Sequence, residues 1–287
     1  MNLDNKFRNE NEIRIFSLPR SGAHPIITWI ASMFCEPIYF FDNSSLIFDP
    51  LRTRFSSAGN ILTLEPDLCN IFQSLKNMHG WPEYKIHEIR NRKKECIMYR
   101  YEINHLSFIN NRFWELKLRA KNHNNSYVGK SKFQFDIIVL RDFRNWVASL
   151  IRFQDGTWFR EKNKKVYMEL WEHVAKEFIG DTAFLPFKKI QIKYNEWFRK
   201  EMYRKEIAKS LNLEYSNKFI NRLSMTGRSQ KNPTGSSFDG STFKHKANEM
   251  QVQKRYSLLQ DDDLKFYNSI IKESSELLEL SDEIFGK

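Results

Sequence analysis

The chain has 287 residues, with 46 Lys and Arg against 35 Asp and Glu, for a formal net charge of +11. Aromatics make up 15% of it, 24 of them Phe, which excludes global disorder, and the length suffices for a buried core. Cys35, Cys69 and Cys96 stand far apart among largely apolar neighbours, so neither a disulfide framework nor a zinc site is expected, and buried free thiols in a reducing compartment fit best. The stretch Met1–Glu12 is polar and charged, unlike a signal peptide, and no run of about 18 apolar residues occurs. A cytoplasmic protein with no membrane span is therefore expected. The basic residues are scattered and no nucleic-acid-binding signature accompanies them, so no nucleic-acid partner is expected, and an anionic small molecule is sufficient reason for the charge.

In chain order, Ile13–Leu18 reads as a strand, Pro19 to Gly22 as a tight turn, and Pro25–Phe34 as a helix. Strand, glycine turn and helix in that order build an anion cradle, because backbone N–H groups and the positive end of the helix dipole converge there. Arg20 adds a charge with fork geometry and Ser21 a hydroxyl donor. The GxxxxGK[ST] spacing of nucleotide-triphosphate loops is absent. A corner that binds nothing is the plain alternative. His24 precedes Pro25, which pushes it out of helical geometry.

Further strands are expected at Ile38–Phe41, Ile97–Tyr101, Ile137–Leu140 and Ile190–Tyr194. Helices are expected at His105–Lys121, Phe143–Phe153, Lys164–Phe178, Glu196–Ser210, Asp261–Ile271 and Ser275–Leu280, with a turn at Asn122–Ser126. Short apolar strands alternating with amphipathic helices argue for an α/β fold, a central parallel sheet flanked by helices. No linker forces a boundary, so one domain over residues 1–287 is expected, with a core at about 13–256 and a helical carboxyl end. The run Ile137–Leu140 stops at Arg141 and Asp142, which places Arg141 at the carboxyl end of a central strand, where open α/β sheets bind ligands. Ser149 lies eight residues on, about two turns into the next helix. Residues 228–246 hold Pro233, Gly235 and Gly240 without periodicity, as a functional or disordered loop would.

Pro19-Arg20-Ser21-Gly22 after a strand resembles the 5′-phosphosulfate loop of sulfotransferases that use 3′-phosphoadenosine 5′-phosphosulfate (PAPS), in its bacterial form. Arg141 with Ser149 resembles the pair that grips the 3′-phosphate in that family. Gly235-Ser236-Ser237-Phe238, with Arg228, Lys244 and Lys246 nearby, resembles the family's loop over the nucleotide. Tyr194 matches an aromatic beside the adenine, although Asn195 replaces the more usual Glu. Ala23-His24-Pro25 stands where the family commonly has Thr-Thr, so two hydroxyl donors are missing. His24 either replaces one of them, bonding phosphate when protonated, or faces the acceptor.

The resemblance implies a sulfotransferase fold, a P-loop-like sheet, and PAPS as donor without a metal. It also implies sulfuryl transfer to a hydroxyl or amine of a small molecule or sugar. Arg20 would neutralise the leaving phosphate. The family's general base is a His or Glu at a strand end, which singles out Glu102 and His105; His79, His87 and His123 have weaker contexts. Trp81, Trp114, Trp158 and Phe159 are candidate walls for an acceptor. A P-loop kinase or NTPase is the runner-up, weakened by the missing loop Lys. A non-catalytic nucleotide-binding protein is the third reading.

Overall fold

The computed structural model describes residues 7–36, 38–42, 60–64, 83–103, 129–151, 159, 163–185, 187–217 and 255–286. Six strands form one sheet: β1 (Asn9–Ser17), β2 (Ile38–Asp42), β3 (Asn60–Leu64), β4 (Lys94–Glu102), β5 (Ser131–Leu140) and β6 (Lys188–Lys193). Their order is β3-β2-β4-β1-β5-β6. Five strands run parallel, and β3 pairs antiparallel with β2 at one edge. Among the described residues the helices are α1 (Ala23–Ala31), α2 (Glu83–Asn91), α3 (Phe143–Ile151), α4 (Lys164–Ile179), α5 (Tyr194–Arg199), α6 (Glu201–Ser210), α7 (Asp261–Glu273) and α8 (Ser275–Phe285). The fold is α/β, as expected.

Alternation along the strands sorts the core into two clusters. Ile13 and Ile15 of β1, Met98 of β4 and Ile137 and Val139 of β5 pack with α1 and with Trp197 and Ile207 of α5 and α6. On the opposite face, Phe16, Tyr99, Ile138 and Leu140 pack with Trp146 of α3, Trp171 of α4 and residues of α7 and α8. The sheet is thus covered on both faces, which is why its central strands are near-continuous apolar runs.

Chain order and spatial order together define the working edge. From β1 the chain turns into α1 and passes to β2 on one side; from β5 it turns into α3 and passes to β6 on the other. The connections diverge between the carboxyl ends of neighbouring β1 and β5, and such a switch point leaves a crevice.

Several boundaries differ from expectation, each for a physical reason. Strands β4 and β5 begin at Lys94 and Ser131, earlier than their apolar runs. Their polar amino halves are strand because they pair with β1, Asn9 opposite both Lys94 and Ser131. Tyr194 opens α5 and does not end β6. The helix expected over Glu196–Ser210 is two, because Lys200 between them is extended, at φ −107° and ψ 111°. Neither β3 nor α2 was anticipated; α2 has low apolar content, and β3 is an edge strand of five residues. Cys96 is buried, and burial pushes its thiol well above the ordinary value. Cys35 is exposed, contrary to expectation, because it lies past the end of α1. Cys69, the helix expected at His105–Lys121, the turn at Asn122–Ser126 and the loop 228–246 lie outside the described residues. Among the described residues no helix is long and apolar enough to cross a membrane.

Candidate anion site at the carboxyl edge of the sheet

The loop after β1 closes with Ser21 N–H donating to the Leu18 carbonyl at 3.2 Å. Arg20 then takes a left-handed backbone, φ +65°, and Gly22 follows at φ +92°. The first is costly for any residue with a Cβ, and such strain concentrates where a loop is held for a purpose. Two contacts hold it. Trp146 of α3 donates its indole N–H to the Pro19 carbonyl at 2.8 Å, and the Tyr194 ring lies against Gly22. A Cβ at Gly22 would stand 2.3 Å from that ring, so glycine is required for conformation and space alike.

Gly22 is the N-cap of α1, and no side chain caps the helix. The amides of its first turn have no partner within the helix. Beside them the Ser21 hydroxyl is buried without a hydrogen-bond partner, and Ser17 Oγ at the end of β1 is in the same condition. An uncapped helix terminus flanked by buried, unsatisfied hydroxyls can accept an oxyanion. Ala23, buried, contributes backbone only, and Arg20 is half-buried at the rim.

Across the switch point, Arg141 follows β5 and is 3% exposed. Its guanidinium lies over the Tyr194 ring, 5.2 Å from the centroid, and its carbonyl accepts the Trp171 indole N–H at 3.1 Å. Tyr194 therefore touches both halves of the edge, Gly22 on one side and Arg141 on the other. Ser149 is buried on α3. Asp142 caps α3 through the Asn145 amide at 3.1 Å and accepts Asn195 Nδ2 at 2.6 Å. Asn195 thus ties the start of α5 to the start of α3, with its Oδ1 buried and unpartnered.

A third set comes from β4. Arg100 and Glu102 share the α1 face of the sheet, in register with Ile15 and Ser17 of β1. Arg100 is 5% exposed; its Nη1 lies 2.8 Å from His24 Nε2, and its Nη2 pairs with the Glu102 carboxylate. His24 is the second residue of α1, not displaced from the helix by Pro25. Proline is tolerated in a first turn because the missing N–H had no helical partner there.

The structure thus brings Arg20, Ser21, Gly22, Ala23, His24, Glu102, Arg141, Ser149 and Tyr194 to the carboxyl side of the sheet or the helices leaving it. His105, Gly235, Ser236, Ser237 and Phe238 lie outside the described residues, as do Arg228, Lys244, Lys246, His79, His123, Trp81, Trp114 and Trp158. His87 is exposed on α2. Phe159 is no acceptor wall: it is 2% exposed and meets Tyr167 and Phe266 edge to face in the core. Arg100 was missed, although a cation inside the apolar run Ile97–Tyr101, two residues from Glu102, was a visible signal. Among the described residues no group of three or more His, Cys, Asp or Glu is placed to hold a metal.

No family model matches the chain, and no curated protein matches it. Among solved structures the chain is similar to the sulfotransferase domain from the curacin biosynthetic pathway, at 15% identity and a TM-score of 0.49, over 92% of this chain and 96% of that one.

Proposed function

We propose that the protein is a sulfotransferase that moves a sulfuryl group from PAPS to a hydroxyl or amine of a small molecule or sugar. The observation that carries this reading is the buried, unpartnered Ser21 hydroxyl at the uncapped start of α1, facing a switch point whose other lip carries Arg141. The residues fit a donor with two separated anionic groups. The first-turn amides of α1, Ser21 and Arg20 hold the 5′-phosphosulfate end, and Arg141 with Ser149 holds the 3′-phosphate. Tyr194, already against Arg141 and Gly22, offers a ring to the base between them.

The donor supplies an activated sulfuryl group. The protein's part is to align it with the acceptor and to spread the charge that builds on the leaving oxygen. Arg20 does the second without proton transfer, because a guanidinium stays charged. Glu102, at the end of β4, takes the acceptor proton. With fixed cations performing neutralisation, turnover is expected to need no divalent metal.

Arg141→Ala tests the assignment. It is expected to weaken adenosine 3′,5′-bisphosphate by about 1.5–3 kcal/mol, the worth of a charge-assisted hydrogen bond, while adenosine 5′-phosphate binding changes little. Titration calorimetry with both ligands reads the difference. Equal weakening of the two would remove Arg141 from a 3′-phosphate site and favour a plain nucleotide-binding or NTPase reading.

A further inference from the structure

His24, Arg100 and Glu102 form one connected cluster on the α1 face of the sheet. His24 enters from the second position of α1, Arg100 and Glu102 from alternate positions at the end of β4. One guanidinium reaches both neighbours, Nη1 to the imidazole and Nη2 to the carboxylate. The arginine is almost wholly buried, so its charge is met inside the protein.

The chemistry of the three groups fixes what each can do. Arginine has five N–H donors, no acceptor, and does not deprotonate. In the 2.8 Å contact the guanidinium therefore donates, and His24 Nε2 must accept. A ring whose Nε2 accepts is neutral and carries its proton on Nδ1. A doubly protonated imidazole would turn an N–H toward a buried cation, with neither an acceptor nor a favourable charge. The cluster is thus incompatible with the charged His24 expected to bond phosphate.

We propose that Arg100 is a positioning residue that holds His24 as the neutral Nδ1–H tautomer and leaves Glu102 as the member of the trio that takes the acceptor proton. This rests on the sulfotransferase reading and selects between His24 and Glu102 within it. Nε2 is engaged by Arg100, and the arginine has no lone pair to offer. Glu102 has two oxygens and one bond to Arg100, and its side chain is 24% exposed. In the transfer step the acceptor oxygen forms a bond to sulfur as the bond from sulfur to the bridging phosphate oxygen breaks. The leaving oxygen keeps that electron pair, and the acceptor proton passes to a Glu102 oxygen. The imidazole gains and loses nothing.

The experiment is ¹⁵N NMR of the histidine rings at neutral pH in the full chain, with the His24 signals assigned by their loss in His24→Asn. Wild type is expected to show His24 with a bare Nε2 and a protonated Nδ1. Arg100→Met removes the donor, and the ring is expected to leave that single tautomer; Arg100→Lys, which keeps a donor cation, is expected to restore it at least in part. A wild-type ring protonated at Nε2 would overturn the proposal without recourse to any variant, as would an unchanged tautomer in Arg100→Met. Titration of the same wild-type sample with adenosine 3′,5′-bisphosphate separates the two ideas. Absence of binding defeats the donor assignment whatever the tautomer, whereas binding with the wrong tautomer defeats the role of Arg100 alone.

Discussion

At the amino edge of the sheet Glu12 is fully buried, and its carboxylate accepts hydrogen bonds from Ser131 Oγ at 2.7 Å and Gln134 Nε2 at 2.9 Å. Five residues on, at the carboxyl end of the same strand, Ser17 is equally buried and its hydroxyl has no partner. The contrast runs along the neighbouring elements. Midway up the sheet Arg14 grips Asp136 with two parallel bonds of 2.6 and 2.7 Å, and Glu177 of α4 takes Lys189 at 2.5 Å and Thr182 Oγ1 at 2.6 Å. At the carboxyl edge Ser21 is unsatisfied, Arg20 is strained and α1 is uncapped. Buried polar groups that only support a fold are closed on one another, because an orphan costs free energy. Under the proposed function, Ser17 and Ser21 are left open because a bound anion supplies their missing partners.

The sharpest way to break this comparison is at Arg14. Arg14→Met leaves the Asp136 carboxylate fully buried, with the Phe187 amide still donating to it at 3.1 Å. Removing one member of a buried pair costs about 3–5 kcal/mol, far more than the pair contributes against an apolar replacement. Urea denaturation is expected to show a loss of that size, with adenosine 3′,5′-bisphosphate affinity of the folded protein unchanged. A variant that keeps its stability but loses the nucleotide would mean that the two ends of the sheet do not divide the work.

Two serines sharpen it further, since both are buried and only one is bonded. Ser131→Ala removes a hydroxyl that accepts from Asn9 Nδ2 at 2.9 Å and donates to Glu12, so two buried groups lose a partner. A cost of about 1–3 kcal/mol in stability is expected, with no change in ligand affinity. Ser21→Ala removes a hydroxyl that has no bond to lose. Its stability is expected to stay within about 0.5 kcal/mol of wild type, while nucleotide affinity falls by about 0.5–1.5 kcal/mol, one neutral hydrogen bond. If Ser21→Ala destabilised the protein as Ser131→Ala does and left the affinity intact, the open hydroxyl would be structural.

How much of this was legible in the sequence follows from where the information is local. The strand–turn–helix at Ile13–Phe34 and the break from Leu140 to Arg141 are encoded in a few adjacent residues, and both motifs lie at the carboxyl edge as read. Five strands were found for the same reason: each has an apolar run that a doubly covered sheet demands. The antiparallel β3 was missed because an edge strand of five residues carries little of that signal. The apolar run and the resemblance both read Tyr194 as a strand end, whereas it opens α5 with its ring against Gly22, 172 positions away in sequence. His24 was misjudged by a local rule about proline, where the helix start makes that rule weak. The Arg100–Glu102 pair lies within β4 and shows in the sequence as a spacing of two, whereas the Arg100–His24 contact joins β4 to α1 and does not. Pairings across the sheet belong to the topology and to no single segment.

A further test of the amino edge concerns Lys94, a cation whose surroundings oppose its charge. Lys94 opens β4 and is 5% exposed, its Nζ donating to the Arg92 carbonyl at 2.7 Å. Burial, with Arg8 and Arg92 nearby, lowers its pKa from 10.5 to about 8. The sign follows from proton counting. Between about pH 8 and 10.5 the unfolded chain holds a proton on this lysine that the folded one has released, so stability contributed by the site rises with pH across that window. Below it both states are protonated and the penalty is constant; above it both are neutral and the penalty is gone. Lys94→Gln removes the titration while other lysines and tyrosines keep theirs. The difference in unfolding free energy between wild type and variant, measured by urea denaturation at several pH values, is therefore expected to shift in favour of wild type as pH climbs through the window. A flat difference would mean that Lys94 is as well solvated as a surface lysine.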